Sequence, residues 1–410
     1  MKSLADYIHH LGLKAGIYSE AGKNTCGHYY DDEGDNGKGV GLYGHEKEDL
    51  IMYLKEWGYD FIKVDYCGGI HLALDEQTQY TKIGHIIEQI RREEHRPIVY
   101  NVCRWQFPGE WVATIADSWR TGGDITPDFE SVLYQIDRIK PLRRFCMPGH
   151  VNDLDMLQVG NGMSKNEDEA HFAMWCMMST PLMLGCDLTK ISKELIDLVS
   201  NEELIAINQD SACLQAFVVK EILSKDDTQC LAEVWVKNLG KDSSNSKAVA
   251  FLNRSTTPVK ITVTPEELGL VGELKVRDVL LHKDLNNFNF EVEVPAHSCK
   301  VYRMEASDSC FVQEISTILP EYIESRYSLN ELRKDAILID VRDTEDFKTY
   351  HLEHAIHLPY QEIYHRIKSM VPDIHQEIIF YCNTGKKSSQ AARNVFYLGY
   401  RNVHFCALYI

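Results

Sequence analysis

The chain has 410 residues, 44% hydrophobic and 25% charged, which is ordinary for a globular protein with room for two or three domains. Acidic residues outnumber basic ones 61 to 43, the net charge is −18, and no basic patch stands out. That balance argues against nucleic acid and anionic membrane surfaces as partners and suits a neutral substrate such as a sugar. No apolar run approaches the ~20 residues of a membrane-spanning helix.

The chain opens MKSLADYIHHLGLKAGIY. Ser3 is placed to cap a short helix whose apolar residues Leu4, Tyr7, Ile8 and Leu11 recur at helical spacing, and Gly12 suits its end. A strand, LKAGIY (13–18), follows at once. The opening shows no signal-peptide pattern, so the location of this chain is not readable from it. From residue 1 to 209 strand candidates alternate with helical patterns: DFIKVDY (60–66), PIVYNVC (97–103), ADSWRTG (116–122), a segment within 146–157, and STPLMLG (179–185). Such alternation predicts parallel strands with crossover helices. The strands end in polar residues, as the functional face of a (β/α) barrel does. From 210 to 304 the pattern changes to short alternating segments separated by Gly, Asn, Asp and Pro, the signature of an antiparallel β-sandwich. Residues 305–310 read as a linker. From 311 to 410 strand and helix alternate again, as in a small α/β domain.

Two carboxylates draw attention. Asp65 ends the apolar strand that runs into KVDYCGG, and Asp124 follows the strand leading into DSWRTGGDI. Cleavage of a glycosidic bond needs two carboxyl groups, one to attack or activate water and one to protonate the leaving oxygen. Lys63 lies two residues before Asp65, so both side chains leave one strand face, and an ammonium there favours an ionised nucleophile. Asp124 suits the acid role if apolar burial keeps it protonated. Arg120 is placed to hydrogen-bond sugar hydroxyls. The competing reading is structural: an ion pair closing a strand, and carboxylates that cap the following helices.

Several motifs in order turn this pattern into a resemblance. KVDYCGG, SWRTGGDI, NDLDML, GIYSEAGKNTCG, STPLMLGCDL, NQD (208–210) and VPAHSCKVYRM together resemble glycoside hydrolase family 27, the melibiase-type α-galactosidases, over residues 1–304. The resemblance implies a TIM-type (β/α) barrel followed by a β-sandwich. It implies Asp65 as nucleophile, Asp124 as acid/base, Arg120 as a sugar-binding arginine and Lys63 as the lysine beside the nucleophile. Tyr18, Asp155 and Met156 match further pocket positions, and Cys26 and Cys67 match a disulfide beside the pocket. The segment Cys103 to Trp105 matches the one that reads the sugar 2-position, with Arg104 where family members often carry glutamate. Galactose is the expected sugar, with a β-L-arabinopyranoside or an N-acetylgalactosaminide as alternatives. Family members retain anomeric configuration, which implies carboxyl groups ~5–5.5 Å apart.

Relative to the family, the chain starts after the first two barrel strands, which implies a barrel lacking them and a longer parent that is periplasmic or extracellular, as its paired cysteines also suggest. The sequence carries no signal for oligomeric state. No HExxH, EF-hand, Walker or GxGxxG pattern occurs, and the twelve cysteines form no CxxC pair, so neither a metal nor a nucleotide cofactor is expected.

A second cysteine site lies in IIFYCNTGKKSSQAA (378–392). Cys382 stands at a strand end before a glycine-containing loop and a helix, an arrangement that stabilises a thiolate. With LIDVRDTEDFKTYHLEHAIHLP and LGYRNV, the region 311–410 resembles a rhodanese domain. The resemblance implies Cys382 as a persulfide carrier, with Lys387 where the loop usually has arginine and with Asp340, Arg342 and Glu345 as scaffold. Three functions therefore stand side by side: a retaining glycosidase through Asp65 and Asp124, a non-catalytic carbohydrate-binding protein, and a sulfurtransferase through Cys382.

Overall fold

The computed structural model of the chain describes residues 1–30, 34–225, 229–240, 245–309, 336–373, 376–383, 387–388, 391–392, 395, 400 and 403–407. It divides into two compact units, the first being Met1–Gln215 with Leu239–Lys241.

The first unit carries five parallel strands: β1 (Gly16–Glu20), β2 (Phe61–Asp65), β3 (Val99–Val102), β4 (Ser118–Arg120) and β5 (Val151–Asp153), paired in sequence order. The alternation in β2 explains its packing. Ile62 and Val64 are fully buried in the cluster formed with Tyr80, Ile83 and Ile87 of the helix Glu76–Glu94. Lys63 and Asp65 take the opposite face. That helix begins where Asp75 accepts a hydrogen bond from Thr78 N (2.8 Å), a side-chain cap.

Three sequence expectations change here. The sixth strand candidate, 179–185, forms only an isolated bridge, Leu157 to Leu184. Ser179 (φ +55°) ends the helix Lys165–Met178 in the left-handed region, and Pro181 has no N–H to give a ladder. The opening helix, Lys2–His10, buries Ala5 and packs Ile8, while Leu4, Tyr7 and Leu11 are exposed; its N-cap is Met1, and Ser3 lies inside it. The boundary expected at 209 falls at Gln215. Its buried amide donates to Ile139 O (2.9 Å) and accepts from Asn152 Nδ2 (2.9 Å), which ties it to the first unit.

In the second unit, β6 (Phe217–Leu223), β7 (Cys230–Asn238), β8 (Ser246–Asn253), β10 (Leu270–Asp278), β11 (Lys283–Leu285) and β13 (Cys299–Ser309) form an antiparallel sheet in the order β11-β10-β13-β8-β7-β6. The pair β9 (Val259–Thr262) and β12 (Glu291–Val294) shares one core with it, through Ile261, Val292 and Val294 packed with Val234, Phe251 and Met304. Glu305–Ser309, read as linker, continue β13 instead. Their backbone pairs with β10 from Leu270 to Lys275, so ladder hydrogen bonds override a polar composition. Residues 310–335 of the expected linker and α/β domain lie outside the described residues.

The last region holds four parallel strands in the order β15-β14-β16-β17: β14 (Ile337–Asp340), β15 (Ile356–His357), β16 (Ile378–Cys382) and β17 (Val403–Ala407). Their buried face carries Ile339, Ile378, Phe380 and Phe405.

Candidate active site

Strand register builds the site. Pairing of β1 with β2 sets Tyr18 beside Lys63 and Glu20 beside Asp65, and pairing of β2 with β3 sets Lys63 beside Asn101. A cavity of about 920 Å³ opens there. Tyr18, Cys26, Lys63, Asp65, Cys67, Trp105, Arg120, Asp124, Asp155 and Met156 all line it, so the fold brings together residues spread over the first unit.

Asp65 is buried, and among the described residues its Oδ1 accepts no hydrogen bond. Burial pushes its carboxyl above the ordinary carboxylate range, and the nearby charge of Asp124 adds to this, against the pull of Lys63. Spacing alone pointed to the lysine as the dominant influence; here burial outweighs it. Burial also works against the Lys63 charge, yet the carboxylates Asp65 and Asp155 hold that group above its ordinary value, so it is cationic. Its ammonium lies 5.9 Å from the centre of the Tyr18 ring.

Arg120 is buried and organises the other wall. One guanidinium nitrogen, Nη2, contacts Asp155 Oδ2 (2.7 Å) and Asp124 Oδ1 (3.1 Å) and donates to Gly123 O (2.7 Å). Asp155 is in turn fixed by backbone N–H groups: Ile125 N donates to Oδ2 (2.9 Å) and Met156 N to Oδ1 (2.8 Å). Asp155 holds φ +82° and Trp105 φ +58°, conformations that cost a non-glycine residue free energy and recur at functional sites. Asp153 extends the network, accepting from Asp155 N (2.8 Å) and Asn101 Nδ2 (2.8 Å).

Asp124 differs from expectation. Its side chain is 75% exposed, so the apolar burial foreseen for an acid is not present. It stands on the loop after β4, at the open side of the cavity, where only Arg120 holds it among the described residues. Arg104 also departs: it does not line the cavity. Its guanidinium pairs with Glu76 (2.8 Å) and lies 5.6 Å from the ring centres of both Tyr66 and Trp105.

One residue, Glu20, was missed in the sequence. Glu20, fully buried, accepts N–H groups from Gly22 (2.9 Å), Cys67 (3.0 Å) and Gly69 (3.3 Å), joining the end of β1 to the turn after Asp65. Burial pushes its carboxyl up to about 7. An acidic residue two positions beyond Tyr18 on one strand face was the available signal. Cys103, also fully buried, has its sulfur 3.9 Å from Arg120 Nη1, and burial pushes its thiol well up, so it stays protonated. Cys26 and Cys67 form a disulfide, with Cα atoms 5.1 Å apart. Glu20 and these two sulfurs cluster closely enough to ligate a metal ion, but disulfide sulfurs lack the thiolate that metals bind.

In the second unit, Cys382 is buried at the end of β16, and Ser388 N donates to its sulfur (3.4 Å). Lys387 pairs with Asp343 (3.2 Å), and Asp340 with Arg342 (2.6 Å). Residues 384–386 of that loop lie outside the described residues.

Comparison with known proteins accords with this geometry. The family described as Alpha galactosidase A matches residues 1–210, the α-galactosidase C-terminal β-sandwich domain matches 230–304, and the rhodanese-like domain matches 325–407. An α-galactosidase of Oryza sativa subsp. japonica is 34% identical over 308 residues, covering 74% of this chain and 68% of that protein. Alpha-galactosidase A of Cellvibrio japonicus is 33% identical over 330 residues, covering 74% and 75%. The crystal structure of α-galactosidase I from Mortierella vinacea superposes with a TM-score of 0.64 at 30% identity, covering 75% of this chain and 81% of that one. With its barrel-type sheet, its sandwich and its convergent carboxylates, the chain belongs to the melibiase-type α-galactosidase family, glycoside hydrolase family 27, and carries a rhodanese-like region after it.

Proposed function

We propose that this protein is a retaining exo-glycosidase that hydrolyses terminal α-D-galactosyl residues of oligosaccharides or glycoconjugates. One observation carries the reading: a buried carboxylate beside an ammonium, Asp65 with Lys63, shares a cavity with an open carboxylate held by a guanidinium, Asp124 with Arg120. Asp65 attacks the anomeric carbon while Asp124 gives its proton to the leaving oxygen. Asp124 then takes a proton from water as that water releases the sugar from Asp65. Bound substrate covers Asp124 and excludes water from it, which supplies the surroundings a general acid needs. Arg120 and Asp155 hold ring hydroxyls, and Trp105 and Met156 shape the walls. Arg104 pairs with Glu76 and does not line the cavity, and the α-galactosidase names of the relatives support galactose as the sugar. The relatives that cover three quarters of the chain are named α-galactosidases, which favours neither a non-catalytic role nor sulfur transfer through Cys382. A disulfide beside the nucleophile fits an oxidising, extracytoplasmic setting. Among the described residues no helix is long and apolar enough to cross a membrane.

The test is release of the phenol from an aryl α-galactoside by the purified chain. Turnover is expected, and Asp65→Ala should lower it by at least about a thousand-fold. Equal turnover in both proteins would remove Asp65 from the chemistry.

A further inference from the structure

The loop that carries Asp124 is held from behind. Asp124 itself is exposed, and among the described residues only Arg120 reaches its side chain. The peptide groups on either side are fixed instead. After Asp124, Ile125 N donates to Asp155 Oδ2 (2.9 Å) and Ile125 O accepts from Gln158 Nε2 (3.2 Å). Before it, Gly123 O accepts from Arg120 Nη2 (2.7 Å) and from Gln135 Nε2.

The glutamine bond comes from a core position. Phe129, Val132, Ile136 and Ile139 give the helix Phe129–Ile139 a buried apolar stripe, and Gln135 stands within it, fully buried. Its Oε1 accepts no hydrogen bond among the described residues. A buried acceptor without a partner costs free energy that an apolar side chain of similar size would not. What the amide supplies there is the bond to Gly123 O. The backbone leaves it room: a Cβ on Gly122 would lie 2.2 Å from Gln135 Oε1, so any side chain at that position would displace the amide.

We propose that Gln135 is a positioning residue for the acid/base. By holding the carbonyl one residue before Asp124, it sets where that exposed carboxyl stands against the leaving oxygen. This inference rests on the glycosidase reading, with Asp124 as acid, and deepens it. Gln135 is not among the residues that line the cavity and acts only through residues 122–124. Proton transfer demands placement within hydrogen-bond reach, and a shift of about 1 Å is enough to slow it.

The experiment uses the full chain and two galactosides that differ in their need for a proton. Methyl α-galactoside would depart as an alkoxide unless protonated; α-galactosyl fluoride leaves as a stable anion. The quantity read is kcat/KM, which reports the steps up to the first bond cleavage and not the later base role of Asp124. Asp124→Ala is the reference, and should lose about a hundredfold or more on the methyl glycoside and far less on the fluoride. Gln135→Met keeps the size and drops the donor. It should lose about tenfold on the methyl glycoside and less than about twofold on the fluoride. Gly122→Ala keeps the glutamine but pushes its amide aside, and should reproduce that split. Equal loss on both substrates in Gln135→Met would make the residue a support of the fold only, and no loss on either would make the bond idle; each overturns the proposal while the split in Asp124→Ala leaves the glycosidase reading standing. If Asp124→Ala shows no split, or the parent chain cleaves neither substrate, that reading falls and this one falls with it.

Discussion

Asp65 shows how a single side chain is tuned by opposing neighbours. Burial and Asp124 raise its carboxyl, and Lys63 opposes them. The proposed reaction needs Asp65 ionised, so activity is expected to be lost as pH falls through a value above the ordinary carboxylate range. Removing the ammonium with Lys63→Met should raise Asp65 further. The acidic limb of the kcat/KM profile then moves to higher pH, and activity at pH 5 drops about tenfold or more. A limb that stays in place would show that Lys63 serves only the substrate. Glu20 gives a stability counterpart. Its carboxyl stands at about 7 in the fold against 4.5 for an unperturbed glutamate. The folded state therefore binds that proton more tightly than the unfolded chain. Its contribution is fully present below pH 4.5 and is lost as pH rises through 7, a change of about 3 kcal/mol. Glu20→Gln should flatten that part of the stability curve, as read by chemical denaturation at pH 5 and pH 8.

At the level of elements, the period-two pattern of KVD was enough to place Lys63 and Asp65 on one face, and the register of β1 on β2 realised it. Strand ends and helix patterns from residue 1 to 178 were legible for the same reason: apolar spacing and turn residues act locally. The segment 179–185 was not, because its apolar composition matches a strand while Pro181 and the turn at Ser179 prevent a ladder. Close approach between loops was also hidden. A Cβ on Gly22 would lie 2.0 Å from the carbonyl carbon of Gly68, against backbone that cannot move aside. Gly22→Ala should therefore push the turn after Asp65 away from β1. The expected cost is about 1–3 kcal/mol of stability, with at least a tenfold loss of kcat/KM. A thermal melt and a single rate measurement check both.

For the whole molecule, the disulfide closes a sequence separation of 41 residues, and by chain entropy its contribution is roughly 4 kcal/mol. Reduction should lower the melting temperature of the first unit and, by loosening the chain around Cys26, weaken hydrolysis; an unchanged melt in strong reductant would assign the bridge no structural part. Among the described residues, those that line the cavity all belong to the first unit. Cys382→Ser should accordingly leave α-galactoside hydrolysis within about twofold, since changes at sites that share no partner act independently. What the sequence by itself determined was the family, through several motifs in order, and the placing of Lys63 and Asp65 on one strand face, because each rests on residue type and short-range spacing; the Cys26–Cys67 pair was implied by the resemblance those motifs carry. Only the tertiary structure decided that Asp124 stands open, that Arg104 turns to Glu76, that Glu20 is buried against the turn after Asp65, and that the Gln135 amide meets Gly123 O. Burial and pairing depend on chain segments far apart in sequence, and no local pattern records which of them will meet.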